Sequence, residues 1–269
     1  MITLEALTPA LIAWIVVVML FSGFVQGALG LGFPTIATPL IALVSDIRTA
    51  VIMVLIPCIV TVLVSTIRSG FLRRAIAEFW MMPLCMLIGA AIGTRLFIRY
   101  SQFPYALLLA GVILVYLNLD RLGRAQWTFV QKHRRAFGVV FGVTAGMSEG
   151  TANVAAPPLI VYYLALDVSP TILVQALNIC FLSGKTMQFA TLASAGGVAA
   201  GQWLMTLPLA VAGAAGGWYG IRLRDRIDAP TYRRWLRRAL FAIAVCLIAQ
   251  YAYEAARPDG LRANPTAMS

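Results

Sequence analysis

An apolar stretch interrupted by glycine and proline decides how this chain is organised: Gly23-Phe-Val-Gln-Gly27-Ala-Leu-Gly30-Leu-Gly32-Phe-Pro34-Thr-Ile-Ala-Thr-Pro39-Leu-Ile41. A second stretch, from Gly142 to Ile160, repeats its pattern. At an offset of 119 residues the following pairs coincide: Gly23/Gly142, Gly27/Gly146, Ala37/Ala156, Pro39/Pro158, Leu40/Leu159 and Ile41/Ile160. Because glycine and proline interrupt helices, the repetition predicts two related halves, each containing a broken helix.

The composition is that of a polytopic helical membrane protein. Of the 269 residues, 61% are hydrophobic and 12% are charged, and the mean hydropathy is +0.85. A soluble domain carries about 25% charged residues. Charge-poor stretches long enough to cross a bilayer recur from end to end. Residues 9–28 follow no basic segment and precede no cleavage motif, so we expect a retained span rather than a signal peptide.

We predict that the chain is helical throughout and that it divides into four segments. These are a first transmembrane repeat at 1–118, a cytoplasmic basic connector at 119–135, a second transmembrane repeat at 136–254 and a polar tail at 255–269. The broken helices are expected at 9–28 with 33–45 and at 136–149 with 151–166, and the other spans at 49–67, 76–97, 103–118, 170–194, 201–221 and 238–254.

A glycine–alanine cluster near the end of each half extends the duplication. The segment Gly89-Ala-Ala-Ile-Gly93 resembles Gly213-Ala-Ala-Gly-Gly217. Small residues at this spacing let helix backbones approach closely in a bilayer. We therefore interpret both clusters as helix-packing surfaces.

The positions of the basic residues discriminate between two topologies. If each broken segment crosses the membrane once, the basic residues outside the spans divide evenly, ten on each side. If each broken segment enters and returns, fifteen share one side, in Arg68–Arg74, Arg121–Arg135 and Arg222–Arg238, and five lie opposite. Basic residues accumulate on the cytoplasmic side, which favours the second topology with both termini outside.

The predicted fold class is therefore an all-α polytopic membrane protein of two inverted repeats. Each repeat comprises a glycine-broken helical hairpin plus three transmembrane helices. Whether residues 9–28 form a full span or half of the hairpin stays open at this point.

The duplicated broken segment, the glycine–alanine clusters and the basic central loop resemble the TauE/SafE sulfite exporter family, also called the toluene-sulfonate uptake permease family. The resemblance covers roughly residues 12–252. It implies a multi-pass carrier in the plasma membrane (the bacterial inner membrane) for small anions such as sulfite or organosulfonates, and proton coupling is compatible with it. The chain departs from the family pattern where consecutive glycines are reduced to Gly27, Gly30 and Gly32, and where the second copy reads Ser148-Glu149-Gly150-Thr151.

The two breaks are the first candidate for a binding site, because paired broken segments of this kind mark the binding sites of transporters. Pro34 suits the first turn of a helix, and Thr151 or Asn153 can cap the equivalent helix. A helix N-terminus offers free N–H groups and about half a positive charge. In inverted repeats we expect the two N-termini to meet near the bilayer midplane.

Glycines at the breaks let the backbone approach a small oxyanion. The alternative is that they only permit tight helix crossing. We predict substrate contacts from Gly27, Gly30, Gly32, Thr35, Gly150, Thr151 and Asn153.

Lys185 is the second candidate. It is one of two lysines and lies in the middle of the apolar stretch 170–194, whereas Lys132 lies in the connector. A cation at the bilayer centre costs about 3 kcal/mol on insertion scales, so we expect Lys185 to bind a substrate anion or to pair with an acid. It ends the segment Asn178-Ile-Cys-Phe181-Leu-Ser-Gly184-Lys185, which resembles a general pattern of the family, and Asn178 joins the predicted substrate ligands.

Glu149 is the third candidate, at the position that the 119-residue offset aligns with Gly30. A buried carboxylate there either couples transport to protons or serves as a static partner of Lys185, and both interpretations stay open. Gln26, Ser148 and Gln188 are uncharged polar residues at similar depths, where helix–helix hydrogen bonding is the alternative to substrate binding.

Other functions fit the residues less well. An enzyme needs a nucleophile–base pair or a metal cluster, and a divalent-cation carrier needs clustered acids or histidines. The only histidine, His133, lies in the connector, and the four cysteines have no metal or redox spacing. A non-transporting membrane scaffold or assembly factor remains the alternative. We expect no cofactor and no nucleic acid; the expected partners are the lipid bilayer and a small anion (sulfite, organosulfonate or carboxylate), with a homodimer left open.

Overall fold

We analysed a computed structural model that describes residues 8–30, 32–68, 70–100, 103–118, 128–196, 198 and 200–223, with residues 238, 241, 244, 245, 248, 249, 251 and 252 beyond them. Regular structure within these residues is entirely helical. The helices are α1 (Pro9–Leu29), α2 (Phe33–Ala42), α3 (Ile47–Arg68), α4 (Leu72–Phe79), α5 (Met81–Arg99), α6 (Tyr105–Leu117), α7 (Thr128–Lys132), α8 (Arg134–Ala152), α9 (Ala156–Ala165), α10 (Pro170–Ser194), α11 (Ala200–Met205) and α12 (Leu207–Leu223).

Most helices begin and end close to the predicted residues, and three predictions need correction. The span predicted at 76–97 is divided into α4 and α5, because Pro83 has no N–H to bond to the carbonyl of Phe79. The second break lies at residues 153–155 rather than at 150, since α8 continues to Ala152. The span predicted at 201–221 is divided at Thr206 into α11 and α12. The described part of the predicted connector, 128–135, contains α7 and the start of α8. The last predicted span lies mostly, and the tail entirely, outside the described residues.

Four stretches of the described chain are long and apolar enough to cross a membrane: Pro9–Leu29, Ile47–Arg68, Met81–Arg99 and Gly201–Leu223. The protein is therefore a multi-pass helical membrane protein. The 21 residues of α1 have the length of a full crossing, whereas the ten residues of α2 reach about 15 Å at 1.5 Å per residue, roughly half the hydrocarbon core.

Both broken segments fold back on themselves as hairpins. In the first, Nε1 of Trp14 on α1 donates a hydrogen bond to the carbonyl of Leu40 on α2, at 3.3 Å. In the second, the hydroxyl of Tyr162 on α9 donates to the carbonyl of Arg134 at the start of α8, at 3.0 Å. A break that merely kinked a single crossing would keep these residues far apart.

Close backbone contacts connect each hairpin to the glycine–alanine cluster of the other half. A Cβ atom added to Gly27 on α1 would lie 2.0 Å from the carbonyl oxygen of Gly217 on α12, and one added to Gly23 would lie 2.0 Å from that of Gly213. Because the residue numbers rise together, α1 and α12 run parallel. The packing role predicted for the small residues agrees with these contacts.

The second hairpin makes the equivalent contact with α5. A Cβ atom on Gly89 would lie 2.1 Å from the carbonyl oxygen of Val143, and one on Gly93 would lie 2.5 Å from that of Met147. Helices α5 and α8 therefore also run parallel. At one end of the bundle, Nη2 of Arg48 at the start of α3 donates to the carbonyls of Phe97 and Ile98 at the end of α5, at 2.8 and 3.1 Å.

These contacts correct the alignment of the two halves. Gly216 on α12 lies against Leu20 on α1, and Gly89 on α5 lies against Val143 on α8 in the same way. Residue 20 of the first broken helix therefore corresponds to residue 143 of the second, an offset of 123 instead of 119. The offset of 119 is wrong because the glycines at 142, 146 and 150 repeat every four residues, so the pattern matches itself after a shift of one helical turn. At 123, the partner of Glu149 is Gln26, and the partner of Asn153 is Gly30.

The backbone supports the corrected alignment. Gly30 (φ +75°) and Asn153 (φ +61°) both adopt the left-handed conformation that ends a helix. Their N–H groups donate to the carbonyls of Gln26 and Glu149, at 2.7 and 3.0 Å. Both breaks are thus built in the same way, although one uses glycine and the other asparagine.

Candidate functional site

Lys185 lies at the centre of a buried polar cluster, which we call the lysine cluster: Glu149, Asn153, Lys185 and Gln188. The side chain of Lys185 is fully buried, with 0% of its surface exposed. Nζ donates to Oδ1 of Asn153 and to Oε1 of Gln188, the latter at 3.0 Å, and forms an ion pair with Oε1 of Glu149. An ammonium group has three N–H bonds, and three oxygen atoms surround this one.

The carboxylate of Glu149 is also fully buried. Neither of its oxygens has a hydrogen-bond partner among the described residues, although Oε1 forms the ion pair with Lys185. A buried ionised oxygen without a partner is costly. The carboxylate therefore has one oxygen at which a proton could be held without breaking an existing hydrogen bond.

The neighbours of Lys185 are held in place by their own hydrogen bonds. Nδ2 of Asn153 donates to Oγ1 of Thr38 on α2, at 2.6 Å, which joins the second break to the first hairpin. Nε2 of Gln188 donates to the backbone carbonyl of Glu149, at 3.2 Å. The oxygens of Asn153 and Gln188 that face Lys185 are thus oriented by groups from α2 and α8.

A second buried cluster, which we call the amide cluster, lies at the first break: Gln26, Asn178 and Ser65. Oε1 of Gln26 accepts the N–H of Phe33 at the start of α2, at 3.1 Å, and its Nε2 donates to Oδ1 of Asn178, at 2.9 Å. Nδ2 of Asn178 donates to the hydroxyl of Ser65 on α3, at 3.2 Å. A side chain therefore already satisfies the first N–H group of α2.

Helix α10 supplies Asn178 to the amide cluster and both Lys185 and Gln188 to the lysine cluster. Asn178 and Lys185 are seven residues apart, about 10 Å along the helix at 1.5 Å per residue. Gln175 and Gln188 extend the same buried face, and Nε2 of Gln175 donates to the carbonyl of Thr66 at 3.1 Å. The two breaks thus contact α10 about two turns apart through Asn178 and Lys185, and the meeting of the two helix N-termini near the midplane stays a prediction.

The other predicted site residues lie at the first break, in close helix contacts or beside an apolar groove. Gly30 and Gly32, both with positive φ, form the first break, and Thr35 is buried in the first turn of α2. Gly27 lies against α12 and Gly150 against α5, so close packing describes their surroundings, and their part in binding stays a prediction. Thr151 donates to the carbonyl of Met147 at 2.7 Å and lines an apolar groove of about 800 Å³ between α5, α6, α8 and α9.

The expected caps of the second returning helix are wrong. Helix α9 begins after Ala155, without a side-chain cap, and carries Pro157 in its first turn as α2 carries Pro34. Asn153 instead ends α8 and contributes its side chain to the lysine cluster. The cap was mislocated because the 119-residue alignment put the break one turn too early.

Sequence reasoning did not identify Thr38 and Ser65 as members of the clusters. Each is one of several hydroxyl residues on an apolar helix, and such residues often bond to the backbone of their own helix. Gln188 had a local signal, because it lies three residues after Lys185 and therefore on the same helix face.

The fold and the site together define a polytopic membrane protein in which two helical hairpins enclose a buried charge pair. The model of the family described as sulfite exporter TauE/SafE matches residues 15–251, nearly the whole chain. The chain belongs to this family, and it is accordingly a multi-pass membrane transporter of the plasma membrane. No curated protein and no solved structure matches the chain.

Proposed function

We propose that this chain is a secondary transporter of small anions and that it binds them at Lys185. The observation that carries the proposal is the burial of Lys185: no other basic side chain of the described residues is buried. A buried cation that is surrounded by three oxygens can provide charge-assisted hydrogen bonds to an oxyanion. The family is described as one of sulfite exporters, so sulfite is the first anion to test, followed by organosulfonates and carboxylates.

The anion would take the place of Glu149 on Lys185. Asn153 and Gln188 are neutral and could stay, whereas the carboxylate carries the same charge as the substrate. A displaced, buried carboxylate is costly unless it is protonated. We therefore propose that Glu149 takes up a proton when the anion binds, which couples transport to protons.

We also propose that the two halves are inverted repeats. The start of α1 contacts the end of α2 through Trp14 and Leu40, and α3 begins shortly afterwards. Because Arg48 joins the start of α3 to the end of α5, the starts of α1 and α3 lie at the same end of the bundle as the end of α5. Helix α8 runs parallel to α5, so its start lies at the opposite end from that of α1. This relation supports alternating access by movement of one half against the other.

Reconstituted vesicles test the proposal with a matched pair of lysines. Lys185→Ala should reduce transport of sulfite or methanesulfonate roughly 10- to 150-fold, since a hydrogen bond to a charged group contributes about 1.5–3 kcal/mol. Lys132→Ala is the control, because Lys132 is exposed on α7. Lys185→Arg keeps the charge and should lose less than Lys185→Ala.

The result that would overturn the proposal is transport by Lys185→Ala at the wild-type rate. If none of the anions is transported and none raises the thermal stability of the wild type, a non-transporting scaffold becomes the better explanation.

A further inference from the structure

We infer that the transported species is a singly charged oxyanion, carried together with one proton, so that the transport cycle is electroneutral. This inference rests on the proposed function, since it concerns the charge of the anion that binds Lys185. It follows from the charge balance of the lysine cluster and from the geometry around Nζ.

The lysine cluster has zero net charge and no spare charge nearby. Lys185 is the one basic residue and Glu149 the one acidic residue among the buried side chains of the described chain. The arginines of the surrounding helices lie outside the buried core: Arg48 is partly exposed, and Arg68, Arg95, Arg99, Arg134 and Arg135 are exposed. The other buried ionisable groups on these helices are thiols and phenols, which are uncharged near neutral pH. They are Cys58 on α3, Cys85 on α5, Tyr162 and Tyr163 on α9, and Cys180 on α10.

The geometry around Nζ allows an anion to enter only by exchange. Its three contacts are the oxygens of Glu149, Asn153 and Gln188, so no N–H bond remains for a fourth partner. When a monoanion replaces the carboxylate and Glu149 takes a proton, the number of buried charges stays the same. Oε2 of Glu149, which has no hydrogen-bond partner among the described residues, can receive that proton without breaking an existing bond.

A divalent anion breaks this balance. One of its charges would face Lys185, and the other would be buried without a cation, because the described core contains no second basic side chain. An unpaired buried charge is strongly unfavourable. Acids with two ionisable groups should therefore be carried in their singly protonated form.

Vesicles with a set membrane potential distinguish the two charge balances. The probes are methanesulfonate and methanedisulfonate, because strong acids of this kind keep their charge at every pH used. In an electroneutral cycle with one proton, a gradient of one pH unit should change the accumulation of methanesulfonate about tenfold. A potential of 100 mV should leave it unchanged, whereas movement of one net charge would change it about 50-fold. Methanedisulfonate should be transported at least tenfold more slowly.

Glu149→Gln should make the accumulation of methanesulfonate respond to the membrane potential instead of to the pH gradient. Glutamine has the size of glutamate but cannot carry the coupled proton, so methanesulfonate should cross without a proton and each cycle should move one net negative charge. The pH gradient should then lose its effect, and 100 mV should change accumulation about 50-fold. Glu78→Gln is the control, because Glu78 is exposed on α4. The wild-type measurements need no variant, so instability of Glu149→Gln would not affect them.

The outcomes separate the inference from the proposed function. Equal transport of methanesulfonate and methanedisulfonate, or a wild-type response to potential, overturns the inference and leaves anion transport intact. Wild-type vesicles that transport sulfite, methanesulfonate and methanedisulfonate no faster than empty vesicles overturn both.

Discussion

Replacement of Gly27 by alanine tests the close crossing of α1 and α12. The added Cβ atom would lie 2.0 Å from the carbonyl oxygen of Gly217 and 2.9 Å from the backbone nitrogen of Ile221. Ordinary contact begins at 3.4 Å, so the helices would have to separate by more than 1 Å. Both obstructing atoms belong to the backbone, and no side-chain rotation can relieve the clash.

The expected loss can be bounded with a matched control. Overpacking of this kind costs about 1–3 kcal/mol, and the upper end applies because the backbones themselves must move. Gly111 on α6 has no atom within 4 Å of an added Cβ, so Gly111→Ala changes only the intrinsic helix propensity. That propensity term, at most about 1 kcal/mol, is common to both variants. The free energy of unfolding of Gly27→Ala should therefore be about 3 kcal/mol lower than that of Gly111→Ala.

Unfolding by a denaturing detergent in mixed micelles, followed by loss of helical circular dichroism, measures this difference. Gly150→Ala offers a second test at the contact of α8 with α5, where the added atom would lie 2.5 Å from the nitrogen of Thr94. If Gly27→Ala and Gly111→Ala unfold at the same detergent concentration, the close approach of α1 to α12 is refuted, and with it the 123-residue alignment of the halves.

Two further predictions concern charged groups. Lys185→Met should lower the free energy of unfolding by about 3–5 kcal/mol, because it leaves a buried carboxylate unpaired. The double variant Lys185→Met with Glu149→Met should recover most of that loss. Equal stability of the single and double variants would contradict the ion pair. Asp46 caps α3, where its Oδ1 accepts the N–H of Thr49 at 2.9 Å and its Oδ2 accepts the Thr49 hydroxyl. Burial raises the pKa of Asp46, but the hydrogen bonds from Thr49 outweigh that effect and hold the pKa below its ordinary value. The stabilisation is therefore complete above about pH 4 and is lost as the pH falls through the lower folded-state pKa. Asp46→Ala should cost about 0.5–2 kcal/mol at pH 7 and progressively less below pH 4, as measured by unfolding across pH; a cost that does not change with pH would contradict a charged cap.

Much of the fold is readable from local patterns. The lengths of the apolar stretches predicted the helices, and α10 begins and ends where the hydropathy changes, at Pro170 and Ser194. Glycine and proline predicted both breaks, since their effects on the backbone are local. The second break was misjudged by a few residues because an asparagine, rather than a glycine, adopts the left-handed conformation there.

The site was predictable only in part. Lys185 and Glu149 could each be identified from the sequence, because a charged residue in an apolar stretch needs a partner within the membrane. Their pairing was one of two interpretations, and nothing local could choose between them. Thr38 and Ser65 had no signal, since the hydrogen bonds that join them to Asn153 and Asn178 span 115 and 113 residues.

By itself the sequence determined the membrane class, the two broken helices, the glycine–alanine clusters and the one lysine in an apolar helix, because each of these depends on composition or on spacing within one helix. The tertiary structure decided what these parts face. A glycine pattern with a period of four residues matches itself after one turn, so only the contacts of α1 with α12 and of α5 with α8 select the 123-residue alignment. That alignment makes Glu149 the counterpart of Gln26, and the packing of α8 against α10 brings its carboxylate to Lys185.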